Sequence, residues 1–160
     1  MMLLSDAVVT ILKLWDGQEL NGVPFELLRS SIPAMVFQVL IQTINFQKMD
    51  GSWESSLEAT AYAVLTLKRL ASLPWAGDVR RAAARAILHG TAFLMMHEEE
   101  WDAAEFLWVE KVSYGSEVLS RTYCIAAITA SDLHQWGNKV FDIFSRARDY
   151  SRFDIHSGIS

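Results

Sequence analysis

A single cysteine, Cys124, stands in 160 residues. No intrachain disulfide can form, and no cysteine cluster can hold a metal. Cys124 lies in an apolar run, where a thiol behaves as a small buried hydrophobe. Proline is almost as scarce: Pro24, Pro33 and Pro74 are the three in the chain, which leaves long stretches free to be helical. An excess of positive charge is missing too. Lys and Arg number 14 against 19 Asp and Glu, a net charge of −5, and no basic stripe stands out, so nucleic acid is not an expected partner. No apolar run reaches the roughly 20 residues of a membrane span. Ile32 to Phe46 comes nearest, and Gln38, Gln42, Thr43 and Asn45 interrupt it. The N-terminus has neither a basic n-region nor a small-residue cleavage site. Disorder is excluded by 51% hydrophobic against 21% charged residues, more than enough apolar material for a core. These absences read as a soluble chain of the cytoplasm with one modest domain.

What is present is helical periodicity. Leu3, Leu4, Val8, Ile11, Leu12 and Trp15 predict a first helix over 3–15. Asp16-Gly17 and Asn21-Gly22-Val23-Pro24 break it, and Pro24 suits the start of a short helix over 25–29. Pro33 opens a helix to Phe46 whose wide apolar band suggests burial on more than one side. Ser55 and Glu58 have capping-box spacing for a helix from Leu57 to about Ser72. Asp78 caps the next, to Met96, and His97-Glu98-Glu99-Glu100 ends it. A short helix is expected over 103–109. Ser116 caps another to about Leu133, and Asn138 to Tyr150 is the last, with Val140, Phe141, Ile143 and Phe144 inward. No convincing strand is seen. Residues 1–150 make the domain, and 151–160 a polar, frayed tail.

The stretch joining the second and third long helices holds more than a turn needs. In Gln47-Lys48-Met49-Asp50-Gly51-Ser52-Trp53, the Asp-Gly-Ser core is turn chemistry, since Gly accepts positive φ and Asp and Ser bond their own backbone. A Gln amide can bond backbone groups left open at helix ends, and a Trp indole can lie over that amide. The stretch reads as a clasp between antiparallel helices; the plain alternative is a linker with an incidental Trp. A faint repeat with a period of about 50 residues sets His97 and Trp101 where Gln47 and Trp53 stand, but lacks the Gly-x-Trp. Repeated αα-hairpins suggest an α/α toroid, in which neighbours bury what one hairpin cannot.

These seven residues fit Q-x-x-D-G-S-W and resemble the QW-type repeat of terpene cyclases of the squalene–hopene and class II diterpene group. Glu58 to Leu67 resembles the E-T-A-Y-A-x-L-x-L helix that follows that motif. Leu107 to Ser116, with Val118-Leu119 and Tyr123 to Ala127, resembles a block of the fungal bifunctional diterpene synthases of the copalyl diphosphate/kaurene type. The resemblance runs from about Leu3 to Ala130. It implies an all-α fold, part of an α/α barrel, from the end of a class II (β) domain, with Gln47, Asp50, Gly51 and Trp53 as its structural motif. It also implies geranylgeranyl diphosphate as the substrate of the full-length family, with Mg²⁺ as its cofactor.

The family's acid chemistry is not in this sequence. Class II cyclases protonate an alkene with D-x-D-D, whose middle Asp is kept protonated by its neighbours. Class I synthases bind Mg²⁺ and diphosphate through D-D-x-x-D. Neither motif occurs, nor two adjacent aspartates. On the family pattern the first lies upstream of Met1 and a class I domain lies downstream of Ser160. The chain is thus expected to hold no catalytic residue, to bind no cofactor itself and to be inactive alone. Glu98, Glu99, Asp102 and Glu105 read as solvated loop, not as a metal site, because carboxylates at a helix C-terminus oppose its dipole. Tyr62, Trp108, Tyr114 and Tyr123 are the candidate cavity aromatics, since ring faces stabilise carbocations; ordinary core packing is the other reading of each. A half-barrel would expose apolar faces, so self-association or a partner supplying the missing half is expected. The alternative is a non-catalytic α/α interaction module. A protein-prenyltransferase-type toroid ranks last, because Cys124 has no D-x-C or H-x-x-D arrangement around it.

Overall fold

The computed structural model describes residues 2–103, 107–109, 112–131 and 135–146, with the side chains of 107–109, 112–114, 145 and 146 outside that description. Six α-helices run through them: α1 (Met2–Asp16), α2 (Ile32–Asn45), α3 (Leu57–Ala71), α4 (Gly77–Met96), α5 (Glu117–Thr129) and α6 (Asn138–Arg146). The fold class is all-α, as the sequence implies. One small exception is an antiparallel pair, β1 (Leu107–Val109) and β2 (Val112–Tyr114), with Trp108 opposite Ser113. It replaces the short helix expected over 103–109. Leu-Trp-Val and Val-Ser-Tyr are rich in β-branched and aromatic residues, which favour an extended chain over a helix.

α3 is the hub. It packs against α1, α2, α4 and α5, because apolar residues occur around much of its circumference: Leu57, Ala61, Val64, Leu67 and Leu70 are all buried. α1 brings Val8, Val9 and Leu12 to the same core, and its Asp6 pairs with Arg69 of α3. Lys68 of α3 donates to the Ile128 and Ala130 carbonyls at 3.1 and 2.9 Å, satisfying the open C-terminal end of α5. Burial lowers the pKa of this lysine. Asp16, at the end of α1, accepts the Gly137 N–H at 2.6 Å and so fixes the start of α6. On α6, Val140, Ile143 and Phe144 point inward as expected, whereas Phe141 is exposed.

Several boundaries differ from the sequence reading. A π-turn, Leu27–Ser31, runs without a break into α2, closed by the Ile32 N–H on the Leu27 carbonyl. The wider turn makes room for the Pro33 ring, which would clash inside a regular helix. The joined helix Leu27–Asn45 is therefore long and apolar enough, by length and composition, to cross a membrane, contrary to the run lengths read from the sequence. A soluble core helix passes the same test, and this one packs on α3 and α4. The second difference is the cap of α3. Ser56, not Ser55, is the N-cap and accepts the Ala59 N–H at 3.1 Å. Ser55 lies in the left-handed region, with φ 59°, whereas an N-cap requires extended backbone. Nor does Asp78 cap α4: the N-cap is Ala76. α5 begins at Ser116 as expected but ends at Thr129.

Tryptophan closes several of the helix ends. The indole N–H of Trp53 donates to Thr43 at the end of α2, that of Trp75 to Leu70 at the end of α3, and that of Trp101 to Leu94 at the end of α4. Trp136 donates to Ser72, just past α3. Each buries a large ring while satisfying a carbonyl that a helix end leaves open. The faint repeat in the sequence thus has a physical counterpart: Trp53 and Trp101 do the same work one hairpin apart. The Gln47 counterpart differs, because His97 contacts the Phe93 carbonyl of its own helix.

Candidate functional site

The clasp and the cleft beside it form the candidate site. Gln47 leaves the end of α2 and its amide Nε2 donates to Gly51 O at 3.0 Å and to Ala86 O at 2.9 Å. Ala86 lies well inside α4, so the amide reaches a mid-helix carbonyl and not the helix end anticipated from the sequence. Asp50 makes the turn rigid: its Oδ1 accepts the Ser52 hydroxyl at 2.7 Å and the Ser52 N–H at 2.9 Å. The Ser52 hydroxyl, and then its N–H, lower the Asp50 pKa below the ordinary carboxylate value. Gly51 has φ +89°, and a Cβ there would sit 2.6 Å from the His89 carbonyl oxygen; only glycine fits on both counts. Trp53 is 5% exposed. Its backbone N–H donates to Thr60 Oγ1 at 3.0 Å, and its ring lies against Gly90 of α4.

Glu54 and Ser55 follow with φ 57° and 59°, a tight reversal closed by the bridge between Trp53 and Ser56. Lys48 Nζ donates to Ser55 Oγ at 2.8 Å, which ties the reversal to the clasp. Beside it opens a cleft of about 1070 Å³. α1 supplies Met2 and Leu3, α2 Val39, Gln42 and Thr43 with Phe46 just past its end, and α3 Ala59, Tyr62, Ala63 and Thr66; Tyr123 comes from α5. Lys48, Trp53 and Glu54 bring the clasp to its edge.

Two of the four sequence-chosen aromatics meet here. Tyr62 and Tyr123 pack edge to face, with ring centroids 4.6 Å apart, and both line the cleft. The side chains of Trp108 and Tyr114 lie outside the described residues. Sequence reading missed Glu58 as a member of the site. It is 1% exposed, and its Oε1 accepts the hydroxyl of Tyr62. The signal was available, because Glu58, Tyr62 and Thr66 recur every four residues and share one face of α3. Among the described residues no group of three or more His, Cys, Asp or Glu could hold a metal. Asp102 pairs with Arg121 at 2.6 Å, Glu98 and Glu99 sit in an exposed 3₁₀ turn, and Glu105 lies outside the described residues.

Comparison with known proteins shows the family of the chain. Pimaradiene synthase pbcA of Emericella nidulans is 32% identical over 157 residues, which are 95% of this chain and 16% of the relative. The chain belongs to the terpene cyclase superfamily. The phyllocladan-16-alpha-ol synthase of Phomopsis amygdali is 36% identical over 116 residues, 68% of the chain and 11% of that protein. The copalyl diphosphate synthase of Talaromyces verruculosus is 35% identical over 136 residues, 82% of the chain and 14% of that protein. This terpene cyclase chain thus spans a small fraction of the length of the fungal diterpene synthases it matches. No family model and no solved structure matches it.

Proposed function

We propose that the chain is a segment of a class II diterpene cyclase domain, which supplies scaffold and one wall of the cavity for geranylgeranyl diphosphate but not the catalytic acid. The observation that carries this reading is the match to pimaradiene synthase along 95% of the chain but only 16% of the relative. The missing D-x-D-D and D-D-x-x-D agree with it. A cleft of about 1070 Å³ is at the upper end of small-ligand sites, roughly 300–1,000 Å³, and suits a long hydrocarbon. In this reading the acid, the Mg²⁺ site and the other wall lie on chain outside these 160 residues, the substrate is met in the cytoplasm, and the segment alone is inactive. Incubation of the purified chain with geranylgeranyl diphosphate and Mg²⁺, followed by product analysis, should give no cyclised hydrocarbon or diphosphate. A cyclised product above background overturns the assignment of the acid to another segment.

One observation favours a second reading, a non-catalytic interaction module. Leu12, Leu40, Leu67 and Leu94 are fully buried in one continuous core without any further helix. Against it stand large exposed apolar side chains on several elements, with Leu3 78% and Phe46 73% exposed at the cleft. Light scattering with a hydrophobic dye separates the two. Association or dye binding supports the open half-barrel, and a monodisperse monomer that binds no dye supports the module.

A further inference from the structure

We infer that Asn21 is a site of spontaneous covalent modification: its side-chain amide closes onto the Gly22 nitrogen, loses ammonia and hydrolyses to isoaspartate and aspartate.

The loop between α1 and the π-turn is anchored at both ends and untied in its middle. On one side the N–H groups of Gly17 and Gln18 donate to the Lys13 and Trp15 carbonyls, and those of Glu19 and Leu20 to Leu14. On the other side Leu27 and Leu28 donate to the Pro24 carbonyl. Among the described residues, neither the Gly22 N–H nor the Asn21 side-chain amide takes part in a hydrogen bond. Both residues are exposed. Gly22 has φ +82°, and the place a Cβ would occupy is open, with nothing within 4 Å. A bare, untied glycine nitrogen turns freely toward the preceding side chain.

The chemistry needs only water. The Gly22 nitrogen attacks Asn21 Cγ. The N–Cγ bond forms, the Cγ–Nδ2 bond breaks, and ammonia leaves with the proton given up by the Gly22 N–H. Water then opens the five-membered imide at one of its two carbonyls. Attack at Cγ restores the main chain and leaves aspartate. Attack at the Asn21 main-chain carbonyl leaves the chain running through Cβ and Cγ, which is isoaspartate. Either product adds one carboxylate and takes the net charge from −5 to −6. Isoaspartate also adds a methylene to the main chain between Leu20, whose N–H is fixed, and Val23, which packs against the core.

The fold blocks the comparable positions. Asn45 and Asn138 are the other two asparagines. Both lie in helices, where the backbone holds the next nitrogen away from the side chain, and the Phe46 N–H is bonded to Gln42 at 3.0 Å. Asp16-Gly17 and Asp50-Gly51 also set a glycine after a side-chain carbonyl. Their glycine N–H groups are held by the Lys13 and Lys48 carbonyls at 2.9 and 3.0 Å. Their carboxylates are occupied by Gly137 and Ser52. A bonded N–H reacts only after local opening.

The test incubates the purified chain at pH 7 beside a synthetic peptide of residues 18–24. Circular dichroism confirms that the helices persist, and a chain that melts is assayed with the peptide at a lower temperature. Mass spectrometry of proteolytic fragments reads the exchange of –NH2 for –OH, and enzymatic methylation of the free α-carboxylate identifies isoaspartate. Asn21 should convert at least about tenfold faster than Asn45 and Asn138, and within about tenfold of the peptide. Asn21→Gln, which would have to close a six-membered ring, should leave this fragment unchanged. Conversion of Asn21 more than about tenfold slower than in the peptide overturns the inference, because the fold then restrains the span. Equal rates at the three asparagines overturn it as well, and so does a converted Asn21 fragment that contains no isoaspartate.

Discussion

Replacing Gly90 with alanine should loosen the whole clasp through one methyl group. A Cβ at this position would lie 2.6 Å from Val64 Cγ2 and 2.8 Å from Trp53 Cζ3, closer than carbon atoms tolerate. Neither neighbour can step aside cheaply. Val64 is fully buried in the middle of α3, and a β-branched residue in a helix has one strongly preferred rotamer. Trp53 is pinned at its indole N–H by Thr43 and at its backbone N–H by Thr60. Overpacking of this kind costs about 1–3 kcal/mol, and the rigid neighbours place Gly90 toward the top of that range. Alanine returns up to about 1 kcal/mol as a better helix former than glycine. The net is a loss of about 2 kcal/mol, which for a chain of this size lowers the melting temperature by about 4–8 °C. Urea unfolding followed by tryptophan fluorescence gives the free energy directly. The contact itself can be isolated by repeating the change in a Trp53→Phe background, where the ring that meets the new methyl is gone. There Gly90→Ala should cost at least about 1 kcal/mol less. A Gly90→Ala chain as stable as the parent, or an equal cost in both backgrounds, would refute the packing argument.

Three further outcomes follow from the same region. Trp53→Ala, which empties a buried site and orphans the Thr43 carbonyl, should cost about 3–5 kcal/mol in urea unfolding; a change near zero would mean the indole carries no load in the clasp. Glu54→Gly removes a side chain from a left-handed backbone position and should stabilise the chain by about 1 kcal/mol; destabilisation in a thermal melt would count against the strain. The lowered Asp50 pKa means its contribution is complete above the unfolded value near 3.8 and is lost as pH falls through the lower folded value. Melting temperatures of Asp50→Asn should therefore decline less steeply than those of the parent below about pH 4, and parallel curves would exclude Asp50 from acid sensitivity.

The helices themselves were largely legible, because their apolar spacing is regular and Gly and Pro punctuate the gaps. What the sequence could not show were choices between neighbours that read alike. Ser55 and Ser56 both suit an N-cap, and only the backbone angles of the preceding reversal decide for Ser56. Pro33 reads as a helix start; whether the chain breaks or threads through by a wider turn depends on packing upstream. Leu107 to Val109 carries a strand-like composition that the expectation of a short helix over 103–109 obscured, and Val112 to Tyr114 was assigned to no element. In the site, Tyr62 and Tyr123 could be selected one by one as aromatics. Their edge-to-face meeting joins α3 to α5, a contact between distant segments that no local pattern encodes. Glu58 was read as a capping residue and as the start of the family-like helix, and its spacing of four from Tyr62 was not used.

Gln47 reaching a mid-helix carbonyl has a consequence for how α4 can sit. Ala86 receives the Gln47 amide, the His89 carbonyl crowds the bare face of Gly51, and Gly90 admits the Trp53 ring. These three contacts fall within about a single turn of α4, and all come from one seven-residue stretch. A helix resting on a smooth apolar neighbour can slide by a turn, about 5.4 Å, and find similar packing. Here such a step would bring different residues beneath the amide, the bare glycine and the indole at the same moment. The clasp therefore acts as an indexing pin: it reads one turn of the neighbouring helix and fixes its axial position, and with it the alignment of every side chain that α4 presents further along.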